Sequence, residues 1–396
     1  FNVICYIYSM RRGIATFTLD YGRCPPWLFE RMSRLARIIA ISLVENFGPE
    51  EFVKRLADPV WFQSFGSLLA FDWNASGLTT TTLGALKSAL FGIEKELGVF
   101  IAGGKGKTSR KTPDQIINKS EMANIDVKKA KNMVYLSRLT AKVDTALIQD
   151  GFQIYHHNFI FTKTGHWTVI QQGMNISWQK ARRYHWYSQI LKDPTIEPHQ
   201  GIKSEIVLPK VLNLTSKKSL ANRQGIIEIT TDKKTLQYEV KRLIKKNNDR
   251  EHQLTLLNLS DRDFYTPKAV NETFTPRLEQ SINQIINKPI NSLTDILMTE
   301  NVGPKTIRAL SLIAELITGA SPSFEDPVRY TFAFGGKDGV PYPVDRKTYD
   351  QTIEVIEKAI KKSSLGHFEK EKLLKRSENL FSQTRSILPS QSPRSL

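Results

Sequence analysis

Residues 152–161 (FQIYHHNFIF) and 166–173 (HWTVIQQG) are β-rich runs joined by Thr162-Lys163-Thr164-Gly165, the pattern of a β-hairpin. That hairpin constrains the fold most, because the sequence on either side of it reads as helix. Residues 28–57 place Leu28, Met32, Leu35, Ile38, Ile39 and Leu43 at helical spacing, with Gly48-Pro49 as a break, which predicts two helices. A Thr run at 79–82 opens a helix over 83–97, and further helices are expected at 125–147, in the Lys-rich stretch 231–250 and from Ser281 onward. The fold class expected is α+β and mainly helical.

A chain of 396 residues suits two or three domains. The expected boundaries are a helical N-terminal domain over 10–120, a basic α+β domain over 121–250, a C-terminal helical domain over 251–366 and a Ser-rich disordered tail over 377–396. With 40% apolar and 24% charged residues the chain reads as globular. Two cysteines, Cys5 and Cys24, supply neither a disulfide framework nor a cysteine zinc site, which fits a cytoplasmic setting. The best membrane-span candidate, 38–44, is too short. Residues 1–9 are apolar but precede Arg11 and Arg12, the reverse of a signal peptide, so Met10 is the expected start.

The net charge is +17, and residues 101–250 carry 27 basic against 12 acidic side chains, whereas 251–350 is slightly acidic. Concentrated positive charge is the footprint of a polyanion partner, since each cation placed on a phosphate releases condensed counterions. Lys105, Lys107, Arg110 and Lys111 lie in a Gly-rich stretch, 103–113, read as a basic loop that meets a nucleic-acid backbone. Gly106-Lys107-Thr108 does not open a nucleotide P-loop, because the glycine needed at position 101 is Ile101.

Residues 293–316 (LTDILMTENVGPKTIRALSLIAEL) hold two apolar helical runs around Asn301-Val302-Gly303-Pro304-Lys305-Thr306. This segment resembles the helix-hairpin-helix DNA-binding motif, in which left-handed hairpin residues bring backbone amides at a helix N-terminus against a phosphate. Gly303 matches the motif's second glycine, and is expected at positive φ; Asn301 stands in for the first. Within that class, Lys305 resembles the lysine of base-excision glycosylases and Asp345, in the segment Tyr-Pro-Val-Asp at 342–345, resembles their aspartate. The resemblance implies attack by the lysine amine on the sugar, with Lys305 partly buried to lower its pKa and Asp345 stabilising positive charge. The other reading is a phosphate contact at Lys305 and a helix cap at Asp345.

Two further groups carry chemistry. Asp144, Asp150 and His156, near His157 and His166, suit Mg²⁺ or Mn²⁺ in a nuclease, although adjacent His156 and His157 point to opposite strand faces. The run 176–187 interleaves Trp178, Tyr184, Trp186 and Tyr187 with Lys180, Arg182 and Arg183; it reads either as a base-stacking surface or as core.

From Met10 to about Leu365 the chain resembles a mainly thermophile family known as domain of unknown function 763, through Arg12-Gly13-Ile14-Ala15, Phe71-Asp72-Trp73, and residues 103–113, 149–157, 171–174, 181–186 and 334–346. That resemblance implies a shared fold. The leading expectation is a protein of DNA repair or processing that binds double-stranded DNA, including damaged or unpaired sites, and acts as a glycosylase or abasic-site lyase with no cofactor. The alternatives are a metal-dependent nuclease and a non-catalytic architectural protein.

Overall fold

The computed structural model describes residues 24–69, 76–203, 208–248 and 276–328. Met10, Phe71-Asp72-Trp73, Asp345 with its segment 342–345 and the tail 377–396 lie outside the described residues.

Helix α1 (Pro26–Phe47) buries Met32, Leu35, Ala36, Ile39, Ala40 and Leu43, the three-four spacing read from the sequence. It stops at Gly48, whose positive φ of 84° lets its amide reach Val44 before α2 (Pro49–Ala57) begins. Helix α3 (Pro59–Leu68) is capped by Asp58, whose carboxylate accepts from the Val60 and Trp61 amides. Sequence periodicity missed α3, because PVWFQSFGSL has no polar face to set against its apolar one. The helix expected over 83–97 is two: α4 (Gly77–Leu90) and the single turn α5 (Glu94–Leu97).

Five antiparallel strands follow: β1 (Val99–Lys105), then, after the helices and the short β2 described below, β3 (Gln153–Thr162), β4 (Trp167–Asn175), β5 (Lys180–Tyr187) and β6 (His199–Lys203), in the order β1-β3-β4-β5-β6. The expected hairpin is β3–β4. Both faces of the sheet are covered. Ile101, Ile160, Ile170 and Tyr187 point to one face and pack with α1–α4. Phe100, Ala102, Phe159, Phe161, Trp167, Val169 and Trp186 point to the other.

The second face meets α7 (Thr112–Met122) and α8 (Val127–Lys142), the latter continuing into a wider π-turn at Val143–Leu147. A short ladder pairs β2 (Ile148–Gln149) with β7 (Leu212–Asn213). Helices α9 (Leu220–Thr231), α10 (Lys233–Asn248), α11 (Pro276–Ile286), α12 (Leu293–Leu297) and α13 (Pro304–Thr318) complete this layer. One apolar cluster runs from Phe100 through Leu147 and Ile226 to Ala314, drawing on residues of all three expected segments. The protein is α+β and mainly helical. Among the described residues no helix is long and apolar enough to cross a membrane.

Candidate nucleic-acid interface

Helices α12 and α13 flank the hairpin of interest. A reciprocal capping box starts α12: Ser292 accepts from the Asp295 amide while Asp295 accepts from the Ser292 amide. Asn301 takes the left-handed conformation at φ 60°. Gly303 does not: at φ −139°, ψ −170° it is extended, which corrects the positive φ expected there. The single left-handed residue turns the chain, and Asn is the residue after glycine that best tolerates it. Val302 buries its side chain, and Ile307 closes the first turn of α13 onto the Gly303 carbonyl. No side chain caps α13, so the amides of Lys305 and Thr306 have no partner within the helix. A side chain at Gly303 would meet nothing within 4 Å.

The carbonyl side of this hairpin is pinned inward. Lys142, at the end of α8, donates to the Val302 carbonyl at 2.5 Å. Gln149 donates to the Pro304 carbonyl at 2.9 Å and accepts from Arg308 at 2.7 Å, and Ser281 donates to the Asn301 carbonyl at 3.2 Å. Burial pulls the Lys142 ammonium below its ordinary value. Asn301 and Lys305 are exposed and Thr306 is buried; the partial burial expected of Lys305 is not found. Asp345 lies outside the described residues, so its distance from Lys305 is undefined.

The stretch 103–113 is less of a loop than expected: β1 runs to Lys105, and α6 (Lys107–Arg110) and α7 follow. Gly103 permits this, because at φ 102° a Cβ there would sit 2.1 Å from the His157 carbonyl oxygen. Lys87 donates to the Gly103 carbonyl at 2.6 Å and to Gln115 at 2.7 Å, while Gln115 accepts from the Gly103 amide at 2.9 Å. Burial, with Lys119 nearby and Glu94 opposing, lowers Lys87 to about 8. This clasp fixes the end of β1 and leaves Lys105, Lys107, Arg110 and Lys111 exposed.

Arg182 and Arg183 are corrections. Both are fully buried, so neither guanidinium can lie on a nucleic acid in this conformation. Arg182 bridges Asp150 at 2.8 Å and Asp326 at 2.8 Å. Burial opposes its charge, but the two carboxylates outweigh burial and raise its pKa. Arg183 donates to His185, Gln63, Thr79 and the Pro59 carbonyl, locking β5 to α3 and α4, and burial lowers it. Tyr184, Trp186 and Tyr187 are core, while Trp178 is 44% exposed.

The family model described as "Protein of unknown function (DUF763)" matches residues 13–344. The chain belongs to the DUF763 family. No curated protein and no solved structure matches the chain. In this DUF763 protein four of the segments that carried the resemblance meet at one end of the sheet, through the neighbours Lys105↔His156, His156↔Gln172 and Gln172↔Arg183.

The DUF763 chain does not bring Asp144, Asp150 and His156 together. Asp144 accepts from Gln171 at 2.6 Å and from Trp186 at 2.9 Å, and pairs with His199. Asp150 accepts from Tyr184 at 2.7 Å besides Arg182; burial raises its pKa against those partners. His156 lies on the opposite sheet face from His157, hydrogen-bonded to Asn158. Among the described residues no three His, Cys, Asp or Glu side chains group to hold a metal, His166 included. Sequence reasoning missed Ser137 and His199, which extend a buried chain: Ser137 bonds His157 at 2.8 Å, His157 bonds Gln171 at 2.9 Å, and Gln171 bonds Asp144. The alternation of β3 set His156 and His157 on opposite faces, but no local signal paired His157 with a serine on α8.

Proposed function

We propose that this protein binds double-stranded DNA by its sugar-phosphate backbone, with the hairpin 301–306 as the phosphate clamp and Lys105, Lys107, Arg110 and Lys111 as further backbone contacts. The observation that carries this reading is the docking of the hairpin. Lys142, Gln149 and Ser281 hold its carbonyls inward, which leaves the amide end of α13, beside exposed Lys305, for an anion. The excess of basic residues over 101–250 supplies the long-range attraction. Backbone contacts carry little sequence information, which suits a protein of DNA repair or processing. A cytoplasmic setting accords with the cysteine count.

The test is duplex affinity of Gly303→Val. The extended backbone there accepts any residue, so the variant folds, while its branched side chain stands where a phosphate would approach the amides. A loss of tenfold or more, about 1.4 kcal/mol, is expected. Unchanged affinity in a folded variant overturns the clamp. The lyase reading of Lys305 is separate from the clamp, because the partial burial it calls for is not found; borohydride trapping on abasic duplex that disappears in Lys305→Ala supports it, and no trapping removes it.

A further inference from the structure

Helix α8 has five basic residues and no acidic one between Val127 and Lys142. Four of them are aligned: Lys128, Lys131, Arg138 and Lys142, with Tyr135 among them, recur at intervals of three and four and at 100° per residue fall within an arc of about 80°, while Lys129 lies off it. Lys128, Lys131, Tyr135 and Arg138 are exposed, with Tyr135 at 39%, while Ala130, Met133, Ser137 and Thr140 occupy the buried side. The stripe spans about 21 Å along the helix. Its last member, Lys142, is the residue that holds the Val302 carbonyl, so the stripe leads directly to the hairpin.

Elsewhere on the surface Lys217, Lys218 and Lys241 sit beside Glu197, Glu325 and Glu279. A row of like charges on one helix face carries mutual repulsion. A polyanion lying along it relieves that repulsion. Over about 21 Å of axis one strand of a duplex presents about six phosphates, enough for every cation of the stripe.

We infer that the Lys128–Lys131–Tyr135–Arg138 face of α8 is a second contact track for the duplex held by the hairpin, the three cations meeting phosphates and the Tyr135 hydroxyl donating to one. This rests on the DNA-binding reading above and extends it: the preferred ligand is a continuous duplex long enough to reach from the hairpin along α8. A duplex too short to leave the hairpin gains nothing from the track.

The test titrates the full chain with a mixed-sequence duplex of about 20 base pairs across a salt series, comparing wild type with Lys128→Ala/Lys131→Ala/Arg138→Ala and with the control Lys217→Ala/Lys218→Ala/Lys241→Ala. All substituted positions are exposed, so folding is retained and is checked by the melting temperature. The log–log salt slope is expected to shrink by about 2 to 3 in the stripe variant and to stay unchanged in the control. If wild type binds with a steep slope and the stripe variant matches it, the track is overturned while the clamp stands. If wild type does not bind the duplex, both fall.

Discussion

The Lys142 ammonium donates to the main-chain carbonyl of Val302, 160 residues further along the chain. A half-buried lysine spent on a neutral carbonyl is a positioning contact: it fixes which side of the hairpin faces the protein and which faces out. Lys142→Met keeps the apolar stem but leaves the carbonyl unpaired, at a cost of about 1 kcal/mol. Amide exchange across 301–307 should quicken and duplex affinity should fall several-fold. Unchanged exchange in this variant would show that the contact holds nothing.

The turn itself makes a sharper prediction. Asn301 alone sits in the left-handed region at φ 60°, so Asn301→Gly should leave stability unchanged or slightly raised, while Asn301→Val should lose about 1 to 3 kcal/mol. Gly303→Ala should be neutral for folding. Denaturant unfolding of the three variants decides: the reverse ranking, with position 303 sensitive and 301 tolerant, would contradict the hairpin geometry.

Arg182 joins strand β5 to Asp150 and Asp326, and removing it strands two buried carboxylates. Arg182→Met should cost about 3 to 5 kcal/mol, read as a large fall in melting temperature. Adding Asp150→Asn and Asp326→Asn should recover part of the loss. A single variant that melts with the wild type would mean the bridge does not hold the fold.

His156 predicts a pH dependence. Burial above all, then the charges of His157, Lys105 and Lys87, lowers it from about 6.5 to about 3. Above pH 6.5 both folded and unfolded imidazoles are neutral and the full stability is present. As pH falls from 6.5 towards 3 the unfolded chain takes up a proton that the folded chain refuses, so stability drops by a few kcal/mol. Denaturation midpoints at pH 7 and pH 4.5 should therefore converge in His156→Gln relative to wild type. Equal pH losses in both chains would place His156 in contact with solvent.

The sequence made the helices legible wherever a polar face opposed an apolar one, as in α1 and α2, and made the β3–β4 hairpin legible through its turn. It concealed the fate of Arg182 and Arg183. Adjacent arginines on a strand covered on one face only would leave one in water, but here both faces are packed and both residues are buried. Their partners are remote: Asp150 and Asp326 lie 32 and 144 residues from Arg182, and Gln63 lies 120 from Arg183. No local pattern reports such pairing. Asp144 and His156 are close in sequence yet lie against opposite faces of the sheet, a separation that appears only once the strands are paired.

The most direct test of duplex binding at the hairpin is hydrogen exchange of the peptide spanning 301–307, with and without a saturating duplex of about 20 base pairs at low salt. Strong slowing at the Lys305 and Thr306 amides, lost again on raising the salt, is the predicted result. Exchange at these amides that is identical in free and duplex-saturated protein would contradict the account.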